Sequence, residues 1–162
     1  MSANGSGETR LTSLVWGSGN PEFSPDGSKI VFDSNKGGFI SAIWVMNANG
    51  THQHRLTAPA LEAFFPDWSP DGSRVVFWTN CCNPKHAAIW SIGADGTGME
   101  QLTFPGARHD FTPEYAPAGD KIAFERDSAD FSTSSILTMS PNGSGLTTIQ
   151  SDAFLPAWGP AG

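Results

Sequence analysis

The stretch Pro66-Asp67-Trp68-Ser69-Pro70-Asp71-Gly72-Ser73-Arg74-Val75-Val76-Phe77 decides the fold. Its centre, Ser-Pro-Asp-Gly, is a turn signature: proline presets φ, and glycine accepts a left-handed backbone that side-chain-bearing residues avoid. The run that follows is β-branched and aromatic, as a strand requires. The same stretch recurs as Pro21-Glu22-Phe23-Ser24-Pro25-Asp26-Gly27-Ser28-Lys29-Ile30-Val31-Phe32. A looser copy is Pro113-Glu114-Tyr115-Ala116-Pro117-Ala118-Gly119-Asp120-Lys121-Ile122-Ala123-Phe124, and a short one is Pro156-Ala157-Trp158-Gly159-Pro160-Ala161-Gly162. The leading prolines are 45, 47 and 43 residues apart.

Two further landmarks keep this beat. Ile43-Trp44-Val45-Met46, Ile89-Trp90-Ser91-Ile92 and Ile136-Leu137-Thr138-Met139 each precede a glycine turn, at Asn49-Gly50, Asp95-Gly96 and Asn142-Gly143. Arg10-Leu11-Thr12, Arg55-Leu56-Thr57, Gln101-Leu102-Thr103 and Thr147-Thr148-Ile149 then close each unit. Each unit reads as four short antiparallel strands, a to d, with tight turns between them and no useful helical periodicity. Such a unit has two apolar faces that only neighbouring copies can cover, so units of this length stack as the blades of a β-propeller. The expected fold is all-β, with blades at about 19–57, 65–103 and 112–150. An orphan outer strand is expected at 7–12 and an orphan inner strand at 154–158. Phe23, Phe32, Trp44, Trp68, Phe77, Trp90, Phe124 and Trp158 are expected to fill the layers between blades.

The Ser-Pro-Asp-Gly-x-x-Ile-x-Phe, Ile-Trp-x-Met and Leu-Thr motifs resemble the WD-repeat-like blades of TolB-type β-propellers over nearly the whole chain. Similar blades occur in prolyl-oligopeptidase-like and tricorn-like peptidases and in some polysaccharide lyases, so the fold leaves activity open. The resemblance implies a protein-interaction scaffold, a periplasmic or extracellular location, and rings of six or more blades. Two copies of a three-blade chain would supply six, so the expected partner is another protein or a second copy of this one. The alternatives are the propeller part of a larger hydrolase or lyase, or a carbohydrate-binding propeller.

Composition narrows the classes. Charged residues are 15% of the chain, the formal net charge is −7, and no Lys/Arg run exists, which disfavours a phosphate-tracking nucleic-acid surface. No apolar run is long enough to span a membrane as a helix. Met1 to Gly7 lacks the basic and apolar regions of a secretory signal, so the chain as written predicts no export by that route.

Candidate chemistry is sparse. No Gly-x-Ser-x-Gly elbow is present, so no catalytic residue is expected. Asp26 and Asp71 lack the spacing of a calcium loop and read as turn residues. Cys81, Cys82 and His86 lie in the b–c loop of the second unit, but adjacent cysteines with no second pair match no strong zinc pattern. His52 and His54 alternate on the expected d strand, which predicts a common, solvated side. No metal or cofactor is expected. In propellers the b–c and d–a loops share one end of the ring. A binding face is therefore expected around 33–42, 80–87, 108–111 and 126–135, with Asn35, Lys36, Cys81, Cys82, Lys85, His86, Arg108, His109, Asp110, Arg126 and Asp127 as its residues.

Overall fold

The computed structural model describes residues 6–13, 15–38, 40–58, 60–80 and 86–159. Cys81, Cys82 and Lys85 lie outside the described residues.

Twelve strands form three antiparallel four-stranded sheets, each in sequence order, and no helix occurs among the described residues. The first sheet is β1 (Ser18–Phe23), β2 (Lys29–Ser34), β3 (Ala42–Asn47) and β4 (His54–Arg55). The second is β5 (Ala63–Trp68), β6 (Arg74–Thr79), β7 (Ala88–Gly93) and β8 (Glu100–Gln101). The third is β9 (His109–Tyr115), β10 (Ile122–Asp127), β11 (Ser134–Met139) and β12 (Thr147–Ser151). These sheets are the three expected blades of a propeller segment.

The pleat sends alternate residues to the two faces of each blade. Val31, Ile43 and Val45 of the first blade meet Val75, Phe77 and Ile92 of the second in one buried cluster. Val76 and Ile89, on the second blade's other face, meet Ile122, Phe124, Leu137 and Met139 of the third. The second blade is thus apolar on both sides, as stacking between two neighbours requires.

The repeated turns explain themselves. Ser24 Oγ donates to Asp26 Oδ1 (2.6 Å), and Ser28 N donates to the same oxygen (3.0 Å). Asp71 is held in the same way by Ser69 and Ser73. Donated hydroxyl and amide hydrogen bonds lower both carboxyls to about 2, so these groups are occupied inside their own turns.

The Leu-Thr landmark has two jobs. Thr57 and Thr103 accept the backbone N–H of Ile43 and Ile89 through their hydroxyls, both at 3.0 Å. Leu56 and Leu102 are buried beneath the c–d turn of the following blade. That contact is tightest at Gly143, where φ is +81° and an added Cβ would lie 2.5 Å from the Leu102 carbonyl oxygen. Gly143→Ala combines a left-handed penalty with a clash against backbone. It is expected to cost about 2 kcal/mol or more, read as a lower urea midpoint.

Three expectations are corrected. Residues 7–12 and 154–158 are not strands. A d strand pairs only with the c strand of its own blade, and an a strand only with its b, and neither partner is present among the described residues. The segments still reach the expected places: Gln53 Nε2 donates to Leu11 O (2.8 Å), and Trp158 Nε1 donates to Glu114 O (3.2 Å). His52 and His54 do not share a strand side, because His52 has φ +56° and precedes β4. Phe23 does not fill a layer between blades. It is 61% exposed on the first blade's outer face, where Phe32 and Trp44 pack with Ile30, Met46 and Leu11 rather than against a second described blade.

Candidate binding face

Short hydrogen bonds gather the b–c and d–a loops at one end. Ala63 N donates to Ser41 O (3.1 Å), and Asp110 N donates to Ala87 O (2.9 Å). Each d–a loop therefore ends beside the b–c loop of the preceding blade.

A strip of rings crosses this end over the second and third blades. Phe64 stacks on Trp78 with centroids 4.7 Å apart, and Trp78 meets the edge of Phe111 at 4.9 Å. Phe131 stacks on His109 at 4.6 Å, and His109 contacts His86 at 4.9 Å. Phe131 is 60% exposed although it sits against other rings. Partial burial and the neighbouring His86 both lower the His109 pKa, so its imidazole is neutral at neutral pH. A neutral imidazole between aromatic rings leaves the strip largely apolar in character.

Beneath the strip lies a buried ion pair. Arg126 grips Asp110 with two hydrogen bonds, Nε to Oδ1 at 2.6 Å and Nη2 to Oδ2 at 2.8 Å. The Asp110 side chain is fully buried, and that of Arg126 is 12% exposed. The pair clamps β9 to β10 where both strands enter the loop face. Asp127 is bonded to Ser134 across the base of the third b–c loop.

The structure thus brings His86, His109, Asp110 and Arg126 together and places Arg108 in the adjoining loop. Asn35 and Lys36 belong to the first blade's b–c loop. Lys36 Nζ donates to Gln53 Oε1 (2.8 Å) and lies over the Trp44 ring, which ties it to its own blade rather than to the strip. Phe64, Trp78, Phe111 and Phe131 were not singled out by the sequence. Only Trp78, one residue beyond the buried Phe77, gave a signal, through its place on the opposite face of a strand.

The inner strands build a second feature. Asn20, Phe65, Thr112 and Leu155, each just before a repeated proline, have φ between +46° and +51°. A residue preceding proline is already excluded from the right-handed helical region, and here it turns left-handed. Carboxylates hold two of these corners: Phe65 N donates to Asp33 Oδ2 (3.1 Å), and Leu155 N donates to Glu125 Oε2 (3.3 Å). The resulting bulges turn Glu22, Asp67 and Glu114 into a shared cavity of about 430 Å³. The first strands of all three blades, β1, β5 and β9, line this cavity.

Burial pushes the Asp67 carboxyl up to about 7, and Glu22 and Glu114 add repulsion; the N–H of Tyr115, 2.7 Å away, opposes the shift. An acid raised on folding holds its proton in the folded state while the unfolded state has lost it. The contribution of this group to stability is therefore fully present below about pH 4 and is lost as pH rises towards 7. Asp67→Asn keeps the acceptor for Tyr115 and is expected to raise the melting temperature at pH 8 and flatten its pH dependence between 4 and 7. A parallel pH profile in wild type and variant would refute this assignment.

Among the described residues no group of three or more His, Cys, Asp or Glu side chains is arranged to hold a metal. The family model described as TolB beta propeller domain matches residues 1–162. Comparison with curated proteins gives no sequence match. Among solved structures, a TolB-type protein from Agrobacterium tumefaciens is 25% identical, with a TM-score of 0.70 over 84% of this chain and 52% of that one. TolB from Acinetobacter baumannii is 22% identical, with a TM-score of 0.66 over 82% of this chain and 32% of that one. An oligogalacturonate lyase from Vibrio parahaemolyticus shares the fold at 15% identity and a TM-score of 0.69, over 88% of this chain and 43% of that one. The chain spans about half or less of the length of these structures. With the repeat, the blades and the family match agreeing along its length, the chain belongs to the TolB β-propeller domain family.

Proposed function

We propose that this propeller segment is a non-catalytic scaffold that binds a protein partner through its b–c and d–a loop end. The observation that carries the reading is the strip of rings from Phe64 to His86, with Phe131 exposed at its crest. Exposed aromatics held rigid by neighbouring rings supply contact area at low entropic cost, which is what interface anchors need. The Arg126–Asp110 clamp and the stacked blades beneath them limit how far the loop bases can move.

Photo-crosslinking tests the face. A benzophenone amino acid at position 131 is expected to yield a partner adduct in extract from the source cells, whereas one at position 26, in an a–b turn, yields none. Adducts from position 26 alone, or from neither position, would count against the loop end.

Self-association is a second reading, supported by the first blade's outer face. There Leu11, Phe23, Ile30, Phe32 and Met46 line an apolar hollow of about 310 Å³. Light scattering after size exclusion distinguishes a species of twice 17.2 kDa from a monomer.

A further inference from the structure

We propose that a cleft on the flank of the third blade binds the phosphate or sulfate ester of a small polyol. The cleft, of about 450 Å³, lies between Arg108 in the loop entering β9 and the face of the third blade that turns towards the second. That volume falls within the roughly 300–1,000 Å³ usual for small-molecule sites and exceeds what a bare inorganic ion fills.

The cleft exists because one repeat position changes. Trp44 stands opposite Arg55 in the first blade, and Trp90 opposite Gln101 in the second. At the same register the third blade has Leu137 opposite Thr148. Two smaller side chains leave open the volume that an indole occupies between the first and second blades.

The vacated space is lined for an oxyanion. Arg126 spends Nε and Nη2 on Asp110, which leaves its Nη1 unused. The guanidinium of Arg108 has no partner among the described residues and lines the same cleft. Thr133, Ser135, Thr148 and Ser151 add hydroxyls whose side-chain oxygens have no hydrogen-bond partner among the described residues. Guanidinium groups present several N–H donors to phosphate or sulfate oxygens, and hydroxyls can both donate to and accept from polyol oxygens. Leu137 and Leu146 offer an apolar wall for the C–H face of the polyol. Asp110 is the one acid in contact with either arginine, and its charge is consumed by the bidentate pair. The chain's net charge of −7 opposes anions only at long range, and physiological salt screens that within about 8 Å.

Titration calorimetry on the full chain tests this with glucose 6-phosphate, glucose 6-sulfate, glucose, inorganic phosphate and inorganic sulfate. At least one ester is expected to bind more tightly than its inorganic ion and than glucose, and the preferred ester identifies the oxyanion. Arg108→Gln should weaken that binding roughly tenfold or more, the worth of a charge-assisted hydrogen bond. Leu137→Trp restores the residue of the other blades, fills the cleft and should abolish binding. Circular dichroism and the melting temperature confirm that both variants are folded. No heat from either ester, heat from inorganic ions alone, or ester binding that survives in folded Leu137→Trp would overturn the proposal.

Discussion

Arg126→Met lowers the unfolding free energy by about 3–5 kcal/mol, because it leaves the fully buried Asp110 carboxylate without its counter-ion. Desolvation of that carboxylate was offset by two charge-assisted hydrogen bonds, and methionine returns neither. The double variant Arg126→Met/Asp110→Leu removes the charge together with its partner and is expected to regain most of the loss. Urea unfolding of wild type, single and double variants makes the comparison directly. A single-variant cost under about 1 kcal/mol would place the pair among solvent-exposed ion pairs instead. The same series bears on function: if the pair holds β9 and β10 in register at the loop end, the single variant loses the crosslink from position 131 and the double variant recovers it.

Trp68→Ala is expected to cost about 3–5 kcal/mol, the usual range for deleting a buried large aromatic. Trp68 is 5% exposed and packs in the cluster between the first and second blades. Its counterpart in the preceding repeat is Phe23, at the same place in the motif and 61% exposed. Phe23→Ala should change stability by about 0.5 kcal/mol or less in a monomer, as exposed substitutions usually do. If the chain dimerises through the first blade's outer face, Phe23→Ala shifts the solution mass towards the monomer while leaving the urea midpoint of the monomer in place. Equal costs for Trp68→Ala and Phe23→Ala in a monomer would contradict the stacking order described here.

Sequence alone determined the blades. The Ser-Pro-Asp-Gly turns, the Ile-Trp-x-Met runs and the Leu-Thr closures are local signals, set by backbone preference and side-chain shape within a few residues, and they recur often enough to fix strand order and blade count. The role of Asp26 and Asp71 as turn residues was legible for the same reason, since their partners are two residues away. Tertiary structure decided what depends on neighbours distant in the chain. Whether the aromatic of the first motif is buried follows from the presence of an adjoining blade, and so Trp68 and Phe23 diverge. Residues 7–12 and 154–158 carry strand-like sequence but form no ladder with the described residues, because a strand forms only where it pairs with another. The ring strip joins Phe64, Trp78, Phe111 and Phe131 across two blades, and no spacing within one repeat shows it. The two left-handed corners held by Asp33 and Glu125 are likewise set by residues distant in the chain, over separations of 32 and 30 residues. Local chemistry writes the blade; packing between blades decides which of its side chains meet solvent, each other or a partner.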